Sequence, residues 1–528
     1  MANKEALDMI LRFSQLVSEE VAKSQAGSAP VKQPIRILFQ NLKTHSLERR
    51  KESLIDKASK GNPEARSALK QLVYTNLSNI CKSSHLPSQA LDMMLSGYYI
   101  NYFGTLADIT SSYKMKCLTT LINENNIFLD QHKSTRQDKI RKLAQIIYQE
   151  LYGLGVLDEF LDLKPTKSFV KVEEIASAGG SQLSLKISGL DIKLDKLHYP
   201  DLKIEQVTKR LSKCSDVGLN SRTKEIEAEM EDHSRITLMC APLVQKYAFN
   251  IRRHYPNTLT TDIRIKLGST TSELEKFLDL AVYFHSRIMV IGPQGAGKST
   301  IIRSLVERFP ANTTISSLET SFELGLENID KLTVTNFRSG VVDIEDQLRY
   351  LFRNNSSSLI MGECRSPADA AIYTQVSTRQ LFSSASTWHA IEVSEFIEQF
   401  SNALLRGKYV TTENEARATV SDCVDIVMNV SVCDERHGDY AGLRHVKEVW
   451  LIPRVSASTV DKLIPRRLFH YDYEHHVLIN DVKLANIHKS NVSDNNIPIG
   501  ITDDFLEVCK QRVYDPEKLE VLRSGYYR

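Results

Sequence analysis

The chain has 528 residues, a length that suggests two to four domains. Its 42% hydrophobic and 25% charged content is that of an ordinary globular protein with room for a large core. A formal net charge of only +2 excludes a whole-molecule nucleic-acid footprint, and no apolar run approaches the ~18–20 residues that span a bilayer.

The first predicted element is an amphipathic helix carrying Leu7, Ile10, Phe13, Val17 and Val21 at helical spacing. "SQAGSAPVKQP", residues 24–34, reads as a linker. From residue 35 to about 155 the pattern stays helical. Residues 35–70 hold nine Lys/Arg against four Asp/Glu, which reads first as a solvated helical face and otherwise as a site for an acidic partner or lipid headgroups. Near Phe169 the texture changes. "SFVKVEEIASAGG", "SQLSLKISG" and "LDIKLDKL" alternate apolar and polar residues, as hairpin strands do. "KIEQVTKRLSKCSD" reads as a helix and "SRITLMCAPLV" as a strand, giving an α+β domain over 166–256. A connector follows at 257–270, and from 271 to 528 helices and strands alternate in the α/β manner, which favours a mostly parallel sheet. The eight cysteines form no C-x-x-C pair and fit no zinc spacing. Scattered thiols of this kind, with no basic-then-apolar leader at the N-terminus, predict a cytoplasmic protein.

The strongest signal is "RIMVIGPQGAGKST". An apolar strand, Ile288 to Ile291, runs into Gly292-x-x-x-x-Gly297-Lys298-Ser299. Ile301, Ile302, Leu305 and Phe309 then follow at helical spacing. Strand, glycine loop and helix are the context of a phosphate-binding loop. Its backbone N–H groups, from Gly292 through Gly295, Ala296 and Gly297 to Thr300, would curl around a phosphate at a helix N-terminus. Lys298 would reach the β and γ phosphates, and the Ser299 hydroxyl would bind Mg²⁺. The expected ligands are therefore a nucleotide and Mg²⁺; the loop does not choose adenine over guanine.

Acids recur downstream at strand ends. Residues 314–318 read as a strand followed by Glu319 and Glu323, "SSLIMGECR" as a strand ending at Glu363, and "LFSSASTWHA" as a strand ending at His389. Ligands of open α/β sheets sit at the carboxyl ends of strands, so these groups are expected to converge on the phosphate loop. Taken singly, Glu319 and Glu323 read as loop acids in solvent, His389 as a packed or capping imidazole, and Arg338, Arg353 and Arg365 as surface charges. The ordered set shifts the reading toward an active site, in which Gly362 lets the chain bend close to the phosphates.

This order resembles the secretion ATPase superfamily, the motors of type II and type IV secretion and of type IV and tight-adherence pili, with the CpaF-like branch most similar. The resemblance runs from about Tyr152 to Pro453. "LYGLGVLDEFL" is similar to the family's "GLGPLEPLL", "LETSFELGL" to its Asp box "IEDTAELQL", "LIMGECR" to its atypical Walker B "IIVGEVR", and "SASTWHA" to its His box "SLSTLHA". The resemblance implies a RecA-like P-loop motor domain preceded by a smaller α+β, PAS-like domain; the N-terminal helical region at 35–165 lies outside the strong match and is assigned to partner docking. It implies a homohexamer that hydrolyses ATP with Mg²⁺ and drives a secretion, pilus-assembly or conjugative machine through inner-membrane platform proteins. A nucleic-acid motor is a lesser reading, against which the near-neutral charge and the lack of a recognisable DNA-binding module argue. By the same resemblance, Glu323 would orient or deprotonate the attacking water. Glu363 would hold the Mg²⁺ shell or the water, and His389 would sense the γ-phosphate or link neighbouring subunits. Arg235, at the "GSRVN" position, and Arg252 and Arg253, at "IRR", would neutralise phosphate charge.

The chain also departs from the family. Its Asp box has Glu319-Thr320 for "ED", residues 379–383 read "RQLFS" for "TGHDG", and "RNNSS" replaces "RMRPD". These losses support the alternative of a regulatory or structural subunit that holds nucleotide with little or no turnover.

Overall fold

The structure, a computed structural model, describes residues 44–83, 88–103, 120–125, 134–166, 170–177, 183–194, 199, 201–255, 259–380, 382–434, 440, 442–488, 492 and 497–527. The helix expected over residues 7–21 and the linker at 24–34 lie outside the described residues. Two compact units divide the chain, Met1–Tyr255 and Pro256–Arg528. Among the described residues, no helix is long and apolar enough to cross a membrane.

Among the described residues, the first unit has helices α1 (Thr44–Ser59), α2 (Pro63–Ser83), α3 (Ser88–Phe103), α4 (Arg136–Leu151) and α5 (Leu157–Leu161) ahead of its sheet. Helix α4 starts where its sequence says it should: Thr135 and Asp138 form a reciprocal capping box, and Ile140, Leu143, Ala144 and Ile147 then bury one face. An antiparallel sheet follows, made of β1 (Val172–Ser177), β2 (Leu183–Ile187), β3 (Leu190–Lys193), β4 (Glu225–Glu229), β5 (Arg235–Cys240) and β6 (Tyr247–Arg252) in the order β3-β2-β1-β6-β5-β4. Helix α6 (Asp201–Leu211) connects β3 to β4. Strands β4, a five-residue run of alternating Glu and apolar residues, and β6 are not among the strands read from the sequence. Helices and sheet share one buried core, from Leu69 and Val73 through Ile147 and Phe160 to Leu185 and Ile251.

The second unit is built on a nine-stranded sheet. Its strands are β7 (Ile288–Ile291), β8 (Thr314–Glu319), β9 (Thr333–Arg338), β10 (Ser358–Met361), β11 (Ala385–Trp388), β12 (Ile426–Val432), β13 (Arg444–Leu451), β14 (Arg466–Asp472) and β15 (Val477–Asn480). The order is β15-β14-β13-β12-β7-β11-β10-β8-β9. From β12 to β9 every pairing is parallel, whereas β13, β14 and β15 add an antiparallel edge. The mostly parallel α/β sheet expected from the sequence is what forms. Helices α7 (Thr261–Lys266), α8 (Ser272–Tyr283), α9 (Lys298–Val306), α10 (Ile344–Arg353), α11 (Pro367–Ser377), α12 (Val393–Arg406) and α13 (Glu413–Cys423) punctuate the sheet; α14 (Asp481–His488), α15 (Asp503–Arg512) and α16 (Pro516–Ser524) follow it.

Parallel strands must be apolar on both faces, and these are. Ile288, Val290, Ile315, Ile360 and Met428 pack on α8 and α9 in one cluster. Met289, Ile291, Leu318, Leu359, Met361 and Val427 pack on α11 and α12 in another. The register then fixes the site. Met361 pairs with Leu318, and Trp388 pairs with Ile291, so β7, β8, β10 and β11 end side by side. Strand β11 lies between β7 and β10.

Candidate active site

The phosphate loop leaves β7 at Gly292 and enters α9 at Lys298. Gly292 has φ +146°, and a Cβ on it would run into the carbonyl oxygen of Val430 on the adjacent strand β12. Only glycine fits that approach. Gly297, at φ 92°, precedes the first turn of α9, which contains no acid. The helix N-terminus therefore keeps its positive end for an anion.

Lys298 is buried, and its Nζ donates to the carbonyl oxygens of Gly292, 2.9 Å, and Pro293, 3.0 Å. It also lies 3.3 Å from Nδ1 of His389. Nε2 of the same imidazole lies 2.5 Å from Oε1 of Glu363. An ammonium only donates and a carboxylate only accepts, so the ring is fixed as the tautomer with the proton on Nε2. The other oxygen of Glu363 accepts from Arg365. Burial works against the charge of Glu363, but the hydrogen bonds from His389 and then Arg365 outweigh it and hold the carboxyl at about 2. Glu363 is thus a carboxylate at any physiological pH. The turn carrying it is pinned from β11: Thr387 donates its hydroxyl to the Gly362 carbonyl, 2.9 Å, and accepts the Cys364 N–H, 2.9 Å. Burial pushes the neighbouring Cys364 thiol well above its ordinary value, so it is packing, not a nucleophile.

Glu319 is not a solvent acid. It is 3% exposed, and its Oε2 accepts the N–H groups of Glu323, 2.8 Å, and Leu324, 2.9 Å. Burial raises its carboxyl, against those N–H groups. This changes the role assigned to Gly362. A Cβ there would sit 2.8 Å from Cγ of Glu319, so the glycine makes space for the Glu319 side chain rather than for a bend toward phosphates. Gly362→Ala should therefore lower stability by about 1–3 kcal/mol through overpacking, read from thermal unfolding; an unchanged melt would contradict the contact. Thr320, where the family has a second acid, is exposed.

The structure brings Lys298, His389 and Glu363 into one hydrogen-bonded chain and sets Ser299 in the first turn of α9 beside them. Glu323 follows β8 on its own turn. Arg235, Arg252 and Arg253 belong to the first unit. There, Arg235 and Arg252 are partners across β5 and β6, and Arg252 lies 3.9 Å from Glu174. Arg253 donates to the carbonyls of Phe160, 3.1 Å, and Leu163, 2.8 Å, beneath the Tyr255 ring. That is the setting of a side chain that fastens α5 to the sheet. Arg444, on β13, was missed by sequence reasoning. Its Nε donates to the Gly295 carbonyl at 2.7 Å, and its Cδ would lie 3.5 Å from a Cβ on Gly297. No local motif marks it, because the two residues are 149 positions apart.

The "RQLFS" departure lies at the far end of β11. Arg379 stacks on Phe352, and Phe382 packs on His285 and donates its N–H to the Ser357 carbonyl. These residues precede the strand, whereas His389 follows it.

Residues 203–460 match the family model described as Type II/IV secretion system protein. Protein VirB11 of Agrobacterium fabrum is 26% identical over 183 residues, covering 34% of this chain and 52% of its own length. The type IV secretion system protein PtlH of Bordetella pertussis is 25% identical over 182 residues, covering 33% and 53%. The chain spans about half the length of the curated relatives it matches. Among solved structures, the pilus retraction motor PilT with bound ADP superposes with a TM-score of 0.42 and 15% identity, over 70% of this chain and 98% of the other. That likeness is too slight to add weight.

Proposed function

We propose that this chain, whose residues 203–460 match the family model described as Type II/IV secretion system protein, is an ATP-hydrolysing motor of the secretion ATPase superfamily for a membrane-spanning secretion, pilus-assembly or conjugative-transfer machine. The observation that carries the reading is the chain of contacts from Lys298 through His389 to Glu363, at the shared ends of β7, β10 and β11. In this reading the second unit is a RecA-like motor, and 166–256 is its PAS-like partner domain. The helical segment 35–165 docks on platform proteins, six copies form a ring at the cytoplasmic face of a membrane, and the chain is of the CpaF-like kind.

The residues suit a triphosphate with Mg²⁺. Left-handed Gly295 and Gly297 and the acid-free start of α9 make an anion cradle. Lys298 exchanges its carbonyl acceptors for phosphate oxygens, and Ser299 and the ionised Glu363 supply hard oxygen donors. Bound Mg²⁺ would supply charge neutralisation on the phosphates. Glu323 orients the attacking water. When Lys298 turns to phosphate, Nδ1 of His389 loses its donor, and the Glu363 contact registers that loss. Arg235 and Arg252 remain the candidates for charge neutralisation from the partner domain. The regulatory-subunit alternative is supported by Thr320, but the "RQLFS" change lies away from the carboxyl ends of the strands and does not favour it.

The purified full chain with Mg-ATP should release inorganic phosphate, and omission of Mg²⁺ should stop it. Nucleotide binding without phosphate release, at every concentration up to that giving hexamers by mass photometry, would turn the conclusion to the regulatory subunit.

A further inference from the structure

The turn from Glu319 to Gly325 carries the proposed water-orienting Glu323, and it is gripped from two sides. From β8, Glu319 holds the N–H groups of Glu323 and Leu324. From α9, Arg303 donates through one nitrogen to the carbonyl oxygens of Leu324, 2.8 Å, and Gly325. The Arg303 side chain is only 13% exposed, and its Nε is braced by Glu307 at 3.2 Å. It stands 3.1 Å from where a Cβ on Gly325 would be, and Gly325 has φ 58°. Leu324 and Leu326 plug the same turn into the core beneath α9, beside Ile302 and Val306.

Helix α9 is the helix that begins with Lys298 and Ser299. Arg303 lies five residues further along it. We propose that Arg303 is a positioning residue that locks the Glu323 turn to the phosphate-loop helix, so that loop and water-orienting acid keep one spacing. A charged, multidentate donor to successive carbonyls is the group that best fixes a turn against a helix. Misplacing a reacting group by about 1 Å costs on the order of a hundredfold in rate. The inference rests on the reading of Glu323 as the water-orienting acid.

Two measurements on the full chain test it. The first is hydrogen–deuterium exchange with Mg²⁺ and the imido analogue of ATP. In the unmodified chain the analogue should slow exchange in peptides covering both 293–303 and 320–326. In Arg303→Ala it should slow only the first. Equal slowing of both peptides in Arg303→Ala overturns the proposal whether or not the chain hydrolyses ATP. The second is steady-state kinetics. Arg303→Ala should lower kcat roughly tenfold to a hundredfold with KM for ATP within about twofold, and Arg303→Lys should recover part of the loss. Arg303→Ala combined with Glu323→Gln should be no slower than Glu323→Gln alone; additive losses overturn the proposal. If Arg303→Ala does not fold, Arg303→Lys carries the exchange arm, with weakened slowing at 320–326 expected and full slowing counting against the lock. Full turnover by Glu323→Gln would instead remove the parent reading, which the exchange data do not depend on.

Discussion

Glu363→Gln should reduce ATP turnover by about a thousandfold or more while leaving nucleotide affinity within a few-fold. The amide keeps the size of the side chain and removes its charge. It also reverses the polarity of one of its two ends, so it cannot accept from both Nε2 of His389 and the Arg365 guanidinium as the carboxylate does. The cradle for the phosphates, built by Gly292 through Ser299, is untouched, which is why binding should survive. Titrimetric phosphate release and fluorescent-nucleotide binding separate the two quantities, and parallel loss of both would show that Glu363 shapes the loop instead. The same side chain has a signature in acid. Its folded value of about 2 lies below the ordinary 4.5, so its contribution to stability is present in full above 4.5 and is lost as pH falls toward 2. The stability gap between the unmodified chain and Glu363→Gln should therefore narrow over that interval.

Asp425→Ala should destabilise the second unit by about 3–5 kcal/mol. Asp425 is 2% exposed at the start of β12. It accepts two hydrogen bonds from Arg512 of α15, 2.7 and 3.1 Å, one from the Arg287 N–H, 2.8 Å, and one from Arg454, 3.4 Å. Burial opposes its charge, and Arg512 foremost outweighs this, leaving the carboxyl below its ordinary value. Removing it strands the guanidinium groups of Arg512 and Arg454 around a hole. Both tryptophans, Trp388 and Trp450, lie in this unit, so denaturation followed by their fluorescence reports it alone. A loss under about 1 kcal/mol would mean that water replaces the carboxylate, and Arg512→Ala should then be equally mild.

Much of the site was legible because its signals are local. The phosphate loop needs only a strand, a glycine run and a helix in succession, and the strand bounds Ile288–Ile291 are those read from the sequence. Glu363 and His389 were found as acids and imidazoles at the ends of apolar runs, and the parallel register sets them level. What escaped depends on distant pairing. Arg444 reaches Gly295 from an antiparallel edge strand. Arg303 carries no local sign of the turn it grips, whose carbonyls lie 21 and 22 positions along the chain. Glu319 shows the same limit: strand-end position suggested solvent, and only the gap left by Gly362 reveals where its side chain goes.

Strand β7 is paired on one side with β11 and on the other with β12, which follow it by about a hundred residues or more. The wall against Gly292 is Val430, and the brace on Gly295 is Arg444. During synthesis, the loop that leaves β7 must therefore wait, exposed and unshaped, until the chain has grown past Arg444. Long-range parallel pairings of this kind form slowly, and domains that need them assemble late. The first unit, complete by Tyr255, meets no such delay. A nascent chain halted between residues 310 and 430 would carry the whole glycine motif in its sequence and still have no pocket for a nucleotide.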